Sequence, residues 1–196
     1  MMWAFIGVAK WLFKDFHYEW LVEGFDKNIR IELDFLREAA NMKRTAHFLT
    51  ENRFSAIHVP HLMLAPSKRL LVMEFIQGVH LDQLKSLTQM GIDARALSIL
   101  FSRMIVKMIH QEGFVHADTH SGNLMARKVG NKDQLVLLDH GLYQELDREL
   151  LRNYNQFWLG LILNKPLLLE EGAKGLGTSD PKMLRQMVTS MSEKDL

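Results

Sequence analysis

Asp118 and Asn123 are separated by four residues, D-x-x-x-x-N, and Asp139 follows with Gly141 two places further on. An amide oxygen and a carboxylate are hard oxygen donors of the kind Mg2+ accepts. A second carboxylate beside them can take a hydroxyl proton or orient an attacking group. That inventory suits phosphoryl transfer, provided the chain brings the three side chains together. Leu124 to Arg127 and Gln134 to Leu138 read as two strands joined by a turn at Gly130-Asn131. In such a hairpin the loop before the first strand and the loop after the second lie at the same end. Asp, Asn and Gly are common in turns for local hydrogen-bonding reasons, so the joint order carries the reading and no single residue does.

The elements around this hairpin follow from periodicity. From Trp11 to Asn52 the pattern is helical, with Ile31, Phe35, Ala39, Met42, Ala46 and Leu49 forming one apolar stripe. His58 to Leu64 and Arg69 to Phe75 read as two strands joined at Ala65-Pro66-Ser67-Lys68, and Gln77-Gly78 then breaks the pattern. A short helix over Leu81 to Met90 ends at Gly91. Asp93 is the expected N-cap of a longer helix that buries Leu97, Phe101, Met104 and Met108 and stops near Gly113. Asp147 to Leu163 is helical again, the Gly-rich stretch Gly172 to Gly177 closes that section, and a final helix runs toward Leu196. The Trp residues at 11, 20 and 158 occur at helical spacing and read as packing, as do the twelve Met.

Composition bounds the rest. The 196 residues suffice for one compact unit or most of a two-lobed one, and 47% hydrophobic with 24% charged residues is near the globular average. A net charge of +1 without a basic stripe gives no footprint for nucleic acid. The absence of cysteine excludes disulfides, thiolate zinc sites and a Cys nucleophile. Met1 to Phe13 is apolar but shorter than the ~20 residues that span a bilayer, and it lacks the features of a signal or transit peptide. It reads as an internal helix, with an apolar patch from Trp3 to Trp11 as a candidate membrane-surface contact.

His116 lies two residues before Asp118, where protein kinases carry the His of their catalytic loop, and Asp139-His140-Gly141 is a variant of their D-F-G. His116-Ala-Asp-Thr-His-Ser-Gly-Asn123 resembles the HADPHPGN signature of the UbiB family, also called AarF-domain-containing kinases. Glu32-Leu-Asp34 and Glu38-Ala-Ala-Asn41 resemble that family's ExD and EAxN segments, and Leu138-Asp-His-Gly-Leu-Tyr143 is similar to its mitochondrial branch. The similarity runs in matching order from about Trp20 to about Trp158. It implies that Asp118 is the catalytic-loop aspartate, that Asn123, also of the catalytic loop, and Asp139 hold Mg2+, and that Glu38 pairs with a nucleotide-binding lysine. Glu32 and Asp34 would face the family's inserted N-terminal motif, and Glu74-Phe75-Ile76 would meet adenine, so that ATP is the implied cofactor. Thr119 and Ser121 stand where the signature has prolines, which loosens the loop. Ala117 replaces the Arg of ordinary kinases, and no A-P-E segment follows Gly141.

The resemblance implies an α+β, protein-kinase-like bilobal fold with an incomplete N-lobe. Residues 1–76 form a partial N-lobe of helices, two strands and hinge; residues 77–196 form a mostly helical C-lobe with the catalytic loop and D-x-G. Nothing before Glu38 resembles a phosphate loop, the family's KxGQ motif or its valine-alanine-x-lysine strand, so the chain reads as a fragment. Val8-Ala9-Lys10 imitates the lysine strand, but Trp11, Leu12, Phe13 and Phe16 continue a helical pattern. Asp34 and Glu38 would form a like-charge pair one turn apart, with Arg30 beside Asp34. His116 is expected to orient its loop through backbone hydrogen bonds. A zinc site from His116, Asp118, His120 and His140 would leave Asn123 idle and set neighbours on opposite faces. The implied activity is Mg-dependent ATP hydrolysis or phosphotransfer, with partners in isoprenoid-quinone or lipid pathways and a mitochondrial location, a plastid or the cytoplasm being the alternatives. A catalytically inactive nucleotide-sensing scaffold and a small-molecule kinase of the aminoglycoside or choline type remain open.

Overall fold

The computed structural model describes residues 33–178 and 180–189. The expectations for Met1 to Phe13, Lys10, Trp11, Trp20, Arg30, Ile31, Glu32 and the stretch after residue 189 lie outside them.

The first element, α1 (Phe35–Glu51), starts where the side chain of Asp34 accepts a hydrogen bond from the Leu36 N–H. Asp34 is therefore the N-cap and not a helix-interior residue, which corrects the unbroken helix from Trp11; its carbonyl accepts from the Glu38 N–H one turn on. Capping by Asp is favourable because it satisfies one of the orphan N–H groups of the first turn. The buried face of α1 is Glu38, Ala39, Asn41, Met42, Thr45, Phe48 and Leu49. Ala46, expected in the stripe, is exposed, and Thr45 takes the inward position.

After α1 come β1 (Ile57–His58) and a loose hairpin in place of the two regular strands expected. Leu62 bridges Met73, Met63 N–H bonds Val72 O, and Glu74 N–H bonds His61 O. Then follow β2 (Val79–His80), α2 (Leu84–Gln89) and α3 (Ala94–Lys107), which is capped by Asp93 and continues as a wider π-type turn over Met108–Glu112. Strand β3 (Phe114–His116), a single tight turn at Ser121–Asn123, β4 (Leu124–Val129) and β5 (Lys132–Leu137) form the middle of the chain. A short β6 (Tyr143–Glu145), not foreseen from sequence, pairs antiparallel with β3 and sets His116 opposite Tyr143.

Four strands make one sheet in the order β1-β5-β4-β2, with β4 and β5 antiparallel and β1 parallel to β5. Its inner face joins Met42, Phe48 and Leu49 of α1 to Leu97 and Met104 of α3 in a single core with Leu124, Ala126, Leu135 and Leu137. The chain ends with α4 (Arg148–Ile162), α5 (Pro166–Gly175) and α6 (Pro181–Thr189). Of the glycines expected to close that section, Gly172 and Gly175 lie within α5 and Gly177 beyond it. Proline at the first turn of α5 starts it with a fixed φ. Helices α4 and α5 run antiparallel with backbones in contact: a Cβ at Gly172 would stand 2.4 Å from Phe157 N, and one at Gly160 2.4 Å from Leu169 N. Among the described residues no helix is long and apolar enough to cross a membrane.

Candidate active site

The β4–β5 hairpin brings Asn123 and Asp139 to one end. The Asn123 amide donates to Asp139 Oδ2 at 3.1 Å and to Asp118 O at 3.2 Å. These two bonds use the amide nitrogen and leave the Asn123 side-chain oxygen for another partner. Asp118, Asn123 and Asp139, with Glu38, line one cleft of about 430 Å³, together with Phe35, Met73, Gly122, Leu138 and Gly141. The side-chain donors that line this cleft are carboxylate and amide oxygens, the kind a hard divalent cation takes, although Glu38, Asp118 and Asp139 do not bring three carboxylate oxygens within 4.8 Å of one another.

His116 is buried and ties the two loops together. Its Nδ1 accepts from the Asp118 N–H at 3.3 Å, so Nε2 carries the proton and donates to Asp139 O at 2.9 Å. The Asp139 carboxylate is fixed from its other side, Oδ1 accepting from the Gly141 N–H at 2.8 Å. His120, by contrast, lies outward, accepting from the Gly122 N–H and standing 3.9 Å from Asp118.

His140, where ordinary kinases have Phe, is 0% exposed and bonded at every polar atom. Its Nε2 donates to Leu137 O at 3.1 Å, and its Nδ1 accepts from the Tyr143 hydroxyl at 2.8 Å. Its backbone N–H bonds Glu38 Oε1 at 3.3 Å, and its carbonyl accepts from the Asn41 amide at 2.8 Å. The Tyr143 oxygen in turn accepts from Thr45 Oγ1 at 2.9 Å. Burial keeps the Tyr143 phenol above its ordinary range and protonated. Asn41, Thr45 and Tyr143 were not singled out as site residues. Thr45 was nevertheless findable, since it lies two turns beyond Glu38 on the same helical face.

Burial pushes the Glu38 carboxyl up; the His140 N–H opposes this, and the nearby Asp139 charge adds to it. Among the described residues no lysine bonds Glu38. Asp34 is occupied as the cap of α1. Glu74 and Ile76 do not line the cleft, which their neighbour Met73 does. Burial works against ionisation of Glu74, yet hydrogen bonds from His58 (2.7 Å), Arg127 (2.9 Å) and the His61 N–H hold its pKa at about 2. His58, His61 and Glu74 bring three donor atoms within 4.8 Å of one another. His58 and Glu74 are already bonded to each other, and the Arg127 guanidinium takes the second carboxylate oxygen. The group is thus a hydrogen-bonded cluster that ties β1 and β4 to the segment at Glu74.

Burial, then the neighbouring His116, pushes the pKa of His140 down to about 4, and burial also lowers that of His116. The unfolded chain, with His near 6.5, binds these protons more readily than the folded one. Stability from this source is complete above pH ~6.5 and is lost as pH falls toward 4, by on the order of 3 kcal/mol through His140. Thermal melts between pH 7.5 and 4.5 are expected to fall steadily. A flat Tm across that range contradicts the burial of two neutral imidazoles.

Comparison with known proteins gives a consistent picture. The ABC1 atypical kinase-like domain family matches residues 1–167. The chain is 37% identical over 182 residues to the AarF domain-containing protein kinase 1 of Mus musculus, covering 92% of this chain and 34% of that protein. It is 34% identical over 174 residues to the AarF domain-containing kinase 1 of Drosophila melanogaster, covering 88% of this chain and 33% of that one. The chain therefore spans about one third of the length of the curated relatives it matches. In fold it resembles the structure of the Rv3197–erythromycin complex from Mycobacterium tuberculosis, with a TM-score of 0.63 at 23% identity, over 96% of this chain and 49% of that one. The mixed α/β arrangement is thus kinase-like and bilobal in type.

Proposed function

The chain belongs to the ABC1 atypical kinase-like family, and from that premise we propose that the cleft between α1 and the Asp139-His140-Gly141 segment binds a Mg-nucleotide. In the whole protein this site would serve ATP hydrolysis or phosphotransfer of the UbiB type. The observation that carries the reading is the Asn123 amide, which joins Asp118 O to Asp139 Oδ2 and so draws two loops onto one cleft. Asp139 and the Asn123 oxygen would hold Mg2+, which when bound neutralises charge on the transferring phosphoryl group. Asp118 would orient the attacking oxygen. Glu38, buried and lacking a lysine among the described residues, would receive one from the phosphate-covering part of the fold. The backbone at Glu74 to Ile76 would contact the adenine, with Met73 as an apolar wall, and Glu32 and Asp34 would face the inserted motif.

The resemblance extends this reading to a role in isoprenoid-quinone or mitochondrial lipid homeostasis, with association at a membrane surface and with pathway proteins. A second reading, a nucleotide-sensing scaffold without turnover, is favoured by one observation: Glu38 already has a partner in the His140 N–H. Calorimetric titration of ADP into the 196-residue chain tests the common premise. Binding is expected with Mg2+ and at least tenfold weaker binding without it. Equal affinity in both conditions removes the metal from the account.

A further inference from the structure

We propose that Asn41, Thr45 and Tyr143 are positioning residues that hold Asp139 in its cation-facing pose, so that the placement of α1 sets the affinity of the site for Mg2+. This rests on the Mg-nucleotide reading above.

The segment from Leu137 to Gly141 is fixed at nearly every polar group. The ends of this network fall on two elements: Leu137 O on β5, and Glu38, Asn41 and Thr45 on one face of α1. Glu38 takes the His140 N–H and Asn41 takes the His140 carbonyl, so both peptide groups flanking His140 are gripped by the helix. The His140 side chain adds a relay with a single direction. Thr45 donates to Tyr143, Tyr143 donates to His140 Nδ1, and His140 Nε2 donates to Leu137 O.

No member of this relay is needed to fill space as a polar group. Thr45 and His140 are 0% exposed, and the Tyr143 ring is already stacked on Phe114 at 4.4 Å and on His116 at 4.7 Å. Buried hydroxyls are unfavourable unless every one is bonded, and once bonded they admit one arrangement where an apolar wedge admits several. The Phe of an ordinary D-F-G is held by packing alone. A His in its place cannot turn without stranding Tyr143 and Leu137 O. The rotation of Asp139 is thereby coupled to α1 directly, with no lysine taking part.

The test measures two quantities on the 196-residue chain: the Mg2+ concentration that half-saturates ADP binding, and ADP affinity at saturating Mg2+. Tyr143→Phe removes only the hydroxyl and leaves the ring stack. Thr45→Val removes the donor at the other end, and Thr45→Ser restores it. Tyr143→Phe and Thr45→Val are each expected to raise the half-saturating Mg2+ about tenfold, the range seen when groups behind a metal ligand are lost. ADP affinity at saturating Mg2+ should stay within about twofold of wild type, and Thr45→Ser should behave as wild type. A role confined to stability would lower Tm in these variants without moving the Mg2+ midpoint, and that result refutes the proposal. Should Tyr143→Phe melt too low to assay, the comparison of Thr45→Val with Thr45→Ser decides alone: equal midpoints refute the coupling. A wild-type chain that binds ADP without regard to Mg2+ overturns the nucleotide-site reading itself, and the coupling with it. A wild type that responds to Mg2+ while both variants match it overturns the coupling only.

Discussion

Asp139→Ala is expected to weaken Mg2+-dependent ADP binding by on the order of 100-fold or more, because on the proposed reading it deletes a metal donor and not merely a group behind one. The lost carboxylate also accepts from Gly141 N–H and the Asn123 amide, so the variant frees the loop end that those two bonds fix. Its effect on folding should be far smaller. Burial is the main cause that pushes the Glu38 carboxyl up and the like charge of Asp139 adds to it, so removing that charge relieves some repulsion while the hydrogen bonds are lost. The net change in unfolding free energy without Mg2+ should stay within about 2 kcal/mol. Asp133→Ala is the matching control, since Asp133 bonds Lys128 and the Asp93 N–H away from the cleft. It should retain the full Mg2+ response. Titrations in which Asp139→Ala binds like wild type would discard the assignment of the metal site.

The largest loss of stability is expected from Gly172→Val. Helices α4 and α5 touch at Gly160 and Gly172 with no side chain between them, and any Cβ at 172 would collide with Phe157 N and, at 2.7 Å, with its Cα. Those atoms are helical backbone and cannot turn aside, so the helices must separate and expose Phe157, which is 0% exposed. Overpacking with loss of a buried aromatic contact costs about 3 kcal/mol or more. Gly91→Ala separates this from the general effect of replacing glycine. Its φ is +64° but no heavy atom lies within 4 Å of the added Cβ, so only the left-handed backbone is strained, by about 1 kcal/mol. Urea melts of the two variants should differ by about 2 kcal/mol. Equal midpoints would mean that the close contact does not bear on stability.

The hairpin and its flanking loops were legible in the sequence because turn chemistry and alternation agree there, with Gly130-Asn131 between β4 and β5. The N-cap of α3 was equally legible, since Asp93 precedes apolar periodicity and its side chain bonds the expected N–H, and the helix read from Asp147 starts there, with Asp147 as its cap. What was missed has a common cause: it is set by partners distant in the chain. Tyr143–Glu145 forms a strand only because β3 lies beside it, and Gly172 sits in a helix only because α4 comes close. Local composition around Gly172 to Gly177 favours a loop, and tertiary packing overrides it. The face of Thr45 was legible but its partner was not: the reason for a polar residue on that apolar stripe is a phenol 98 positions away.

That separation governs the order in which the molecule can assemble. The grips of α1 on the segment around His140 and Tyr143 join residues 98, 99 and 102 positions apart, and β1 pairs with β5 across 78 positions, from Ile57 to Leu135. The α4–α5 clasp, in contrast, closes where Asn153 reaches Gly175 across only 22 positions. Distant closures forfeit more chain entropy before any contact repays it, and they are correspondingly slow. On an elongating chain α1 must wait, with Glu38, Asn41 and Thr45 unengaged, until Tyr143 has been synthesised. The cleft therefore closes only long after its own helix has emerged, whereas the α4–α5 clasp can close as soon as its two helices exist.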